Sequence, residues 1–264
     1  MPTSQPSMNS SKKSELISEM LRLAIAAGDA ILKIYKQDFA IEIKKDASPV
    51  TEADKLAEEV IVGGLRKLNL NYEIIAEESI SAGYKPKIKE KPFFLIDPLD
   101  GTKQFIERNG QFTVNIALVE DGIPTLGVIH LPALQETYWT NESGGASKRS
   151  KDGSVTSIQC RKPTQDGLVV LATRSHNNSG TDAFLKTLKI AKLDRCGSSL
   201  KFCRIAEGSA DIYPRLGRTM EWDIAAGHAI LVAAGGSLTD LDGNSIQYGK
   251  TGFESPYFVA TGAE

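Results

Sequence analysis

Apolar residues near the start of the chain recur at helical spacing. Ile17, Leu21, Ala24, Ile31 and Tyr35 share one face, which predicts an amphipathic helix over 14–35. Phe39, Ile41 and Ile43 then alternate with Ala40, Glu42 and Lys44, the period of a strand. After a polar loop over 45–50, Thr51 opens a second helix with Leu56, Val60, Ile61 and Leu65 on one face. Thr51 followed by Asp54 has the spacing of a capping box. Short apolar runs at 74–76, 93–96, 112–119, 126–131 and 136–140 read as strands, and Asp121-Gly122 reads as a hairpin turn between two of them. The polar, glycine-containing stretch from Gly144 to Gly153 marks the expected lobe boundary. Beyond it, strands over 168–172, 211–213 and 256–260 alternate with helices starting near Thr181, Ser198 and Asp223, all good cap residue types. The expected organisation is a flexible tail (1–13), an α+β lobe (14–150) and an α/β lobe (151–264).

Composition narrows this picture. The chain has 264 residues, 41% of them hydrophobic, with a formal net charge of −2. That is the make-up of a globular protein able to bury a large core. The balanced charge argues against non-specific nucleic-acid binding and against an acidic nucleic-acid mimic. Cys160, Cys196 and Cys203 are too few and too dispersed for a disulfide framework, so a reducing compartment is expected. The first thirteen residues lack the apolar core of a secretory leader, and no apolar run is long enough to span a membrane. These features predict a cytoplasmic protein, with peripheral association at the inner membrane face left open. Oligomeric state is not readable.

The acids carry the chemical information. The buried run Phe93-Phe94-Leu95-Ile96 ends in Asp97-Pro98-Leu99-Asp100-Gly101-Thr102, and Ile74-Ile75-Ala76 ends in Glu77-Glu78-Ser79. Carboxyl ends of core strands are where open α/β sheets place ligands. Two carboxylates 4 Å apart repel by roughly 1–4 kcal/mol, so a shared pocket would hold protons or cations. Oxygen-only ligation favours a hard cation, Mg²⁺ first. Each acid also has a plain structural reading. Asp54 fits as a capping-box residue, and Asp223 as the N-cap of a helix over 224–234.

Together the motifs resemble a known superfamily. Asp97-Pro-Leu-Asp-Gly-Thr102 resembles the first signature of the Mg²⁺-dependent, lithium-sensitive phosphatases related to inositol monophosphatase, and Trp222-Asp223-Ile-Ala-Ala-Gly227 resembles the second. Glu77-Glu78-Ser79 and Ser48-Pro49-Val50-Thr51-Glu-Ala-Asp54 match its other landmarks in order, and the likeness runs from about residue 14 to the end. The segment from Gly197 to Gly208, with Asp211-Ile-Tyr-Pro-Arg215, is most similar to the branch of 3'(2'),5'-bisphosphate nucleotidases of sulfur assimilation.

The resemblance implies a layered α-β-α-β-α fold and hydrolysis of a phosphate monoester by a metal-activated water. It implies one Mg²⁺ on Glu77, Asp97 and the Leu99 carbonyl and a second on Asp97, Asp100 and Asp223, with Asp54 helping a third metal site or orienting its water. Thr102 with Glu77 would activate the water. On physical grounds, the backbone N–H groups of Gly101, Thr102 and Lys103 offer a phosphate cradle if they open a helical turn. For a second phosphate it points to Ser198, Lys201 and Arg215, and for the nucleotide to His176. The implied substrate is adenosine 3',5'-bisphosphate, with 3'-phosphoadenylyl sulfate as a relative. An inositol or fructose phosphatase is the alternative within the superfamily, and a non-catalytic metal-stabilised binding protein is the alternative outside it. Three other signals are set aside. Gly249-Lys250-Thr251 ends like a P-loop without its leading glycine spacing. The segment from Asp240 to Asn244 lacks the later positions of a calcium loop, and His130 and His228 lack zinc spacing.

Overall fold

A computed structural model of the chain describes residues 9–43, 49–88, 91–174 and 179–263. The first helical pattern forms α1 (Ser10–Tyr35), with Leu16, Ile17, Met20, Leu23, Ala24, Ala27 and Ile31 buried. It starts ahead of residue 14 because the Asn9 side chain accepts the Lys12 N–H and caps it. Two short paired strands follow, β1 (Ile41–Ile43) and β2 (Pro49–Thr51). The expected strand is therefore shorter, and part of the expected loop is its partner. Phe39 instead packs on Phe105, ring centroids 4.7 Å apart.

Thr51 caps α2 (Glu52–Lys67) in the capping box the spacing predicts. The inward stripe runs through Ala53, Ala57, Ile61 and Leu65. Leu56, expected on that face, is one position off the stripe and exposed.

Helices α1 and α2 cover one face of a seven-stranded sheet. In order it contains β3 (Glu73–Ala76), β4 (Phe93–Asp100), β5 (Thr113–Glu120), β6 (Ile123–Leu131), β7 (Glu136–Thr140), β8 (Ala146–Arg149) and β9 (Val155–Ile158). Only β3 and β4 run parallel within it. Two short helices extend β3 and β4: α3 (Glu77–Ser81) and α4 (Thr102–Ile106). The alternation along β4 divides the core. Phe94 and Ile96 pack with α1 and α2, and Phe93 and Leu95 pack on the opposite face. Asp121 and Gly122 have φ of 51° and 74° and form the predicted turn between β5 and β6.

The stretch expected to divide the lobes lies inside this sheet. Gly144 and Gly153, at φ 86° and 85°, turn the chain into β8 and then β9. A glycine-rich hairpin turn and a glycine-rich linker look alike in sequence.

A second, five-stranded sheet is built from β10 (Leu168–Thr173), β11 (Ile190–Cys196), β12 (Ile212–Arg215), β13 (Ser237–Asp240) and β14 (Phe258–Thr261), in the order β11-β10-β12-β14-β13. Between the sheets lie α6 (Leu200–Ala206) and α7 (Glu221–Ala233), sharing one core with both: Leu95 and Ile129 below, Phe202, Ala226 and Ile230 in the middle, Tyr213 and Phe258 above. Nearly every residue of α7 is buried, as a helix packed on two sides requires. On the outer face α5 (Ser179–Leu185) meets Val170 and Ile212. The layers are helix, sheet, helix, sheet, helix, as the resemblance implied. No helix among the described residues is long and apolar enough to cross a membrane.

Candidate active site

Because β3 and β4 are parallel neighbours, their carboxyl ends open at the same edge of the sheet. Strand β3 delivers Glu77 as the first residue of α3. Strand β4 delivers Asp97 and Asp100, and its pairing slips there. Asp97 lies opposite Asn115 but Asp100 lies opposite Thr113, so one extra residue is accommodated. Residues three apart on a regular strand point to opposite faces. The bulge, at a proline that donates no ladder bond, brings both carboxylates to one cavity. Gly101 then turns through φ 94° into α4, a left-handed conformation that suits glycine.

Asp223 reaches the same place from α7. It is the third residue of that helix, not its N-cap as expected, and its Oδ2 accepts the Met220 N–H at 2.9 Å. Carboxylate oxygens of Glu77, Asp97 and Asp223 lie within 4.8 Å of one another. Asp100 lines the same cavity with its Oδ2 turned to Ser199, accepting the backbone N–H at 2.6 Å and the hydroxyl at 2.7 Å. Burial, then the charges of Asp100 and Glu77, push the Asp223 carboxyl up to about 8. The cluster therefore resists carrying its full negative charge.

Asp54 is the capping-box residue that the spacing predicts, and it also reaches Thr102. Its Oδ2 accepts Thr51 N–H and Oγ1–H, each at 2.8 Å, while its Oδ1 lies 3.2 Å from Thr102 Oγ1. The Thr102 hydroxyl is also 3.4 Å from the Leu99 carbonyl.

The opposite wall of the cavity, of about 590 Å³, includes Ser198, Lys201 and Arg215. Ser198 does not begin α6. It takes φ 48°, and Ser199 occupies the cap position ahead of Leu200. Lys201 is buried, with Nζ donating to the Ser198 carbonyl at 2.6 Å and lying 4.8 Å from the Tyr213 ring centre. Arg215 is braced by Thr219 Oγ1, Thr173 Oγ1 and the Arg218 carbonyl, each at 2.9 Å. His176 lies outside the described residues.

Sequence reasoning missed Ser199, because Ser198 and Ser199 are adjacent and of one residue type. Glu58, one helical turn after Asp54 on α2, accepts the Glu78 and Ser79 N–H groups beside Glu77, and only its helical spacing marks it in the sequence. The rejected Gly249-Lys250 pair does bind a carboxylate, but an internal one. Gly249 N–H and Lys250 N–H donate to Glu221 at 2.7 and 3.1 Å.

Comparison with known proteins gives a consistent picture. The model of the inositol monophosphatase family matches residues 12–262. The 3'(2'),5'-bisphosphate nucleotidase CysQ of Salmonella typhimurium is 42% identical over 249 residues, 93% of this chain and 99% of that protein. The crystal structure of CysQ from Bacteroides thetaiotaomicron, a bacterial member of the same family, superposes with a TM-score of 0.79 at 35% identity, covering 95% of this chain and 98% of that one. An inositol monophosphatase from Zymomonas mobilis gives 0.77 at 28% identity over 95% of this chain and 93% of its own. With the family model matched over residues 12–262 and a relative 42% identical over nearly its whole length, the chain belongs to the inositol monophosphatase family.

Proposed function

We propose that the chain is a Mg²⁺-dependent phosphomonoesterase that removes the 3'-phosphate of adenosine 3',5'-bisphosphate, leaving AMP, and that also accepts 3'-phosphoadenylyl sulfate. The observation that carries the reading is the convergence of Glu77, Asp97 and Asp223 in a cavity whose far wall holds Lys201 and Arg215. The likeness to the CysQ nucleotidases favours this substrate.

The donor set fits a hard cation. It is three carboxylates without histidine or cysteine, and burial first, then the charges of Asp100 and Glu77, makes the ionised Asp223 costly unless a cation joins it. Glu77, Asp97 and Asp223, with Asp100 and the Leu99 carbonyl beside them, would hold two Mg²⁺, and Asp54 would serve a third. Bound there, Mg²⁺ supplies charge neutralisation and lowers the pKa of a coordinated water.

The chain's own residues do the rest. Thr102 Oγ1 donates to Asp54 Oδ1, which leaves its lone pairs to accept from a water and align it. Glu77 stands beside that water as its second partner. Lys201 directs two of its three donors to the Ser198 and Cys196 carbonyls, and the third is set for a phosphate oxygen. Arg215, held flat by its three partners, presents its remaining N–H groups to the same anion. Ser198 completes the nucleotide wall in this proposal. A cytoplasmic setting belongs to the same reading and is supported by three free, buried cysteines.

The likeness to the Zymomonas mobilis enzyme keeps one alternative, an inositol phosphatase sharing the same acids. Phosphate release from adenosine 3',5'-bisphosphate and from inositol 1-phosphate, with Mg²⁺ and with Mg²⁺ plus Li⁺, separates the two. Faster turnover of the nucleotide and inhibition by Li⁺ are expected. Faster turnover of the inositol ester contradicts the substrate, and no release from either contradicts the enzyme reading.

A further inference from the structure

Glu58 is a buried carboxylate outside the acidic trio, and its hydrogen bonds among the described residues go to the two residues that follow Glu77. Its Oε2 accepts the Glu78 N–H at 2.7 Å, and its Oε1 accepts the Ser79 N–H at 2.8 Å and the Ser79 hydroxyl. These are the second and third N–H groups of α3, which have no partner within the helix. Ala76 stands at the cap position and offers no side-chain acceptor. A five-residue helix without its own cap is poorly held. Glu58 supplies the cap from α2, and a negative charge is favourable at that end of a helix. This explains why a third acid is tolerated next to Glu77 and Glu78.

The placement couples two strand ends. Asp54 and Glu58 are four residues apart on α2 and so share a face. Asp54 holds Thr102, which follows β4, and Glu58 holds the helix that follows β3. One helix thereby aligns both segments that carry the site.

Resting on the function proposed above, we infer that Glu58 is a positioning residue for Glu77. It fixes the backbone from which the Glu77 carboxylate reaches Asp97 and Asp223, and it sets the affinity of the site for divalent cation. It does not itself touch the ion or the substrate. Glu58→Gln keeps the shape and one acceptor but turns an NH₂ group toward a backbone N–H. Glu58→Asp keeps the charge and withdraws it by one methylene.

The test is a calorimetric titration of metal-free protein with MgCl₂, alongside the Mg²⁺ dependence of phosphate release. For Glu58→Gln the Mg²⁺ Kd is expected to rise about 10- to 100-fold. The half-saturating Mg²⁺ should rise in step, while kcat at saturating Mg²⁺ stays within about threefold of the parent. Glu58→Asp should fall between the two proteins, a graded rescue that loss of folding does not produce. It also carries the test should Glu58→Gln fail to fold. A parent-like Kd in the Gln variant, or in the Asp variant if only that one folds, overturns the inference, with or without a lowered Tm. If the parent takes up no Mg²⁺ at all, the proposed function falls first and this inference with it.

Discussion

Ser199 shows how much of the site rests on single contacts. Its hydroxyl lies 2.7 Å from Asp100 Oδ2 and 2.6 Å from the Asp223 carbonyl, and it accepts from Asn115 Nδ2 at 3.0 Å. One buried oxygen thus ties the end of β4 to the first turn of α7. Ser199→Ala removes that tie but keeps the Ser199 N–H bond to Asp100, so the fold should survive at a cost of about 1–3 kcal/mol for the partners left unmatched. We expect kcat/KM for the nucleotide to fall about 10-fold or more, with an unchanged far-UV circular dichroism spectrum as the control. Parent-like kinetics would remove Ser199 from the account. The sequence showed two adjacent serines ahead of a helix, and nothing in residue type separates them. The distinction is conformational: Ser198 takes the left-handed turn at φ 48°, and the next residue is left to face Asp100. Lys201 and Arg215 were legible as cavity cations, but their hydrogen bonds to the protein's own carbonyls and hydroxyls were not, because those partners come from distant strands.

Among the elements, α1 and α2 were readable from one strong helical period, and the buried strands as short apolar runs between turn residues. The bulge in β4 was not, since it arises from pairing with β5 rather than from local pattern. The last two strands of the first sheet were also missed, because β9 is exposed and its turns resemble a linker. The fit of α7 onto β6 was invisible for a similar reason. A Cβ on Gly127 would stand 2.4 Å from the Ala226 carbonyl oxygen, a backbone atom that cannot swing aside. Gly127→Ala should therefore push α7 off the sheet and destabilise the protein by about 1–3 kcal/mol, read as a lower denaturant midpoint. It should also weaken Mg²⁺ uptake, because Asp223 rides on the same helix. An unchanged midpoint would mean that α7 yields more easily than this packing implies.

Across the whole molecule, acids from three separate segments meet only because two sheets and a shared helix layer bring them together. The two strand ends already suggested a shared acidic pocket in the sequence, whereas the layers and the arrival of Asp223 there could be inferred only through resemblance. The same burial sets a pH response. Burial lowers His130 and His228 to about 4, from 6.5 in an exposed imidazole. The unfolded chain binds more protons between those values. The stability due to the neutral rings is therefore complete above about pH 6.5 and is lost as pH falls toward 4. Asp223, raised to about 8, acts in the opposite direction, so a difference between variants is the clean reading. Going from pH 7.5 to pH 5, the parent should lose roughly 2 kcal/mol more than His228→Gln, which keeps a partner for Tyr248 but does not titrate. Equal losses in the two proteins would place His228 in water.

The central claim is that Glu77, Asp97 and Asp223 together hold hard cations. It is tested most directly by an anomalous difference map from crystals in which Mn²⁺ replaces Mg²⁺. The account predicts peaks in this cluster such that an oxygen of each of the three carboxylates lies roughly 2 Å from one of them, absent in Asp97→Asn crystals grown the same way. A peak elsewhere with those three oxygens unliganded, or one that persists unchanged in Asp97→Asn, would contradict it.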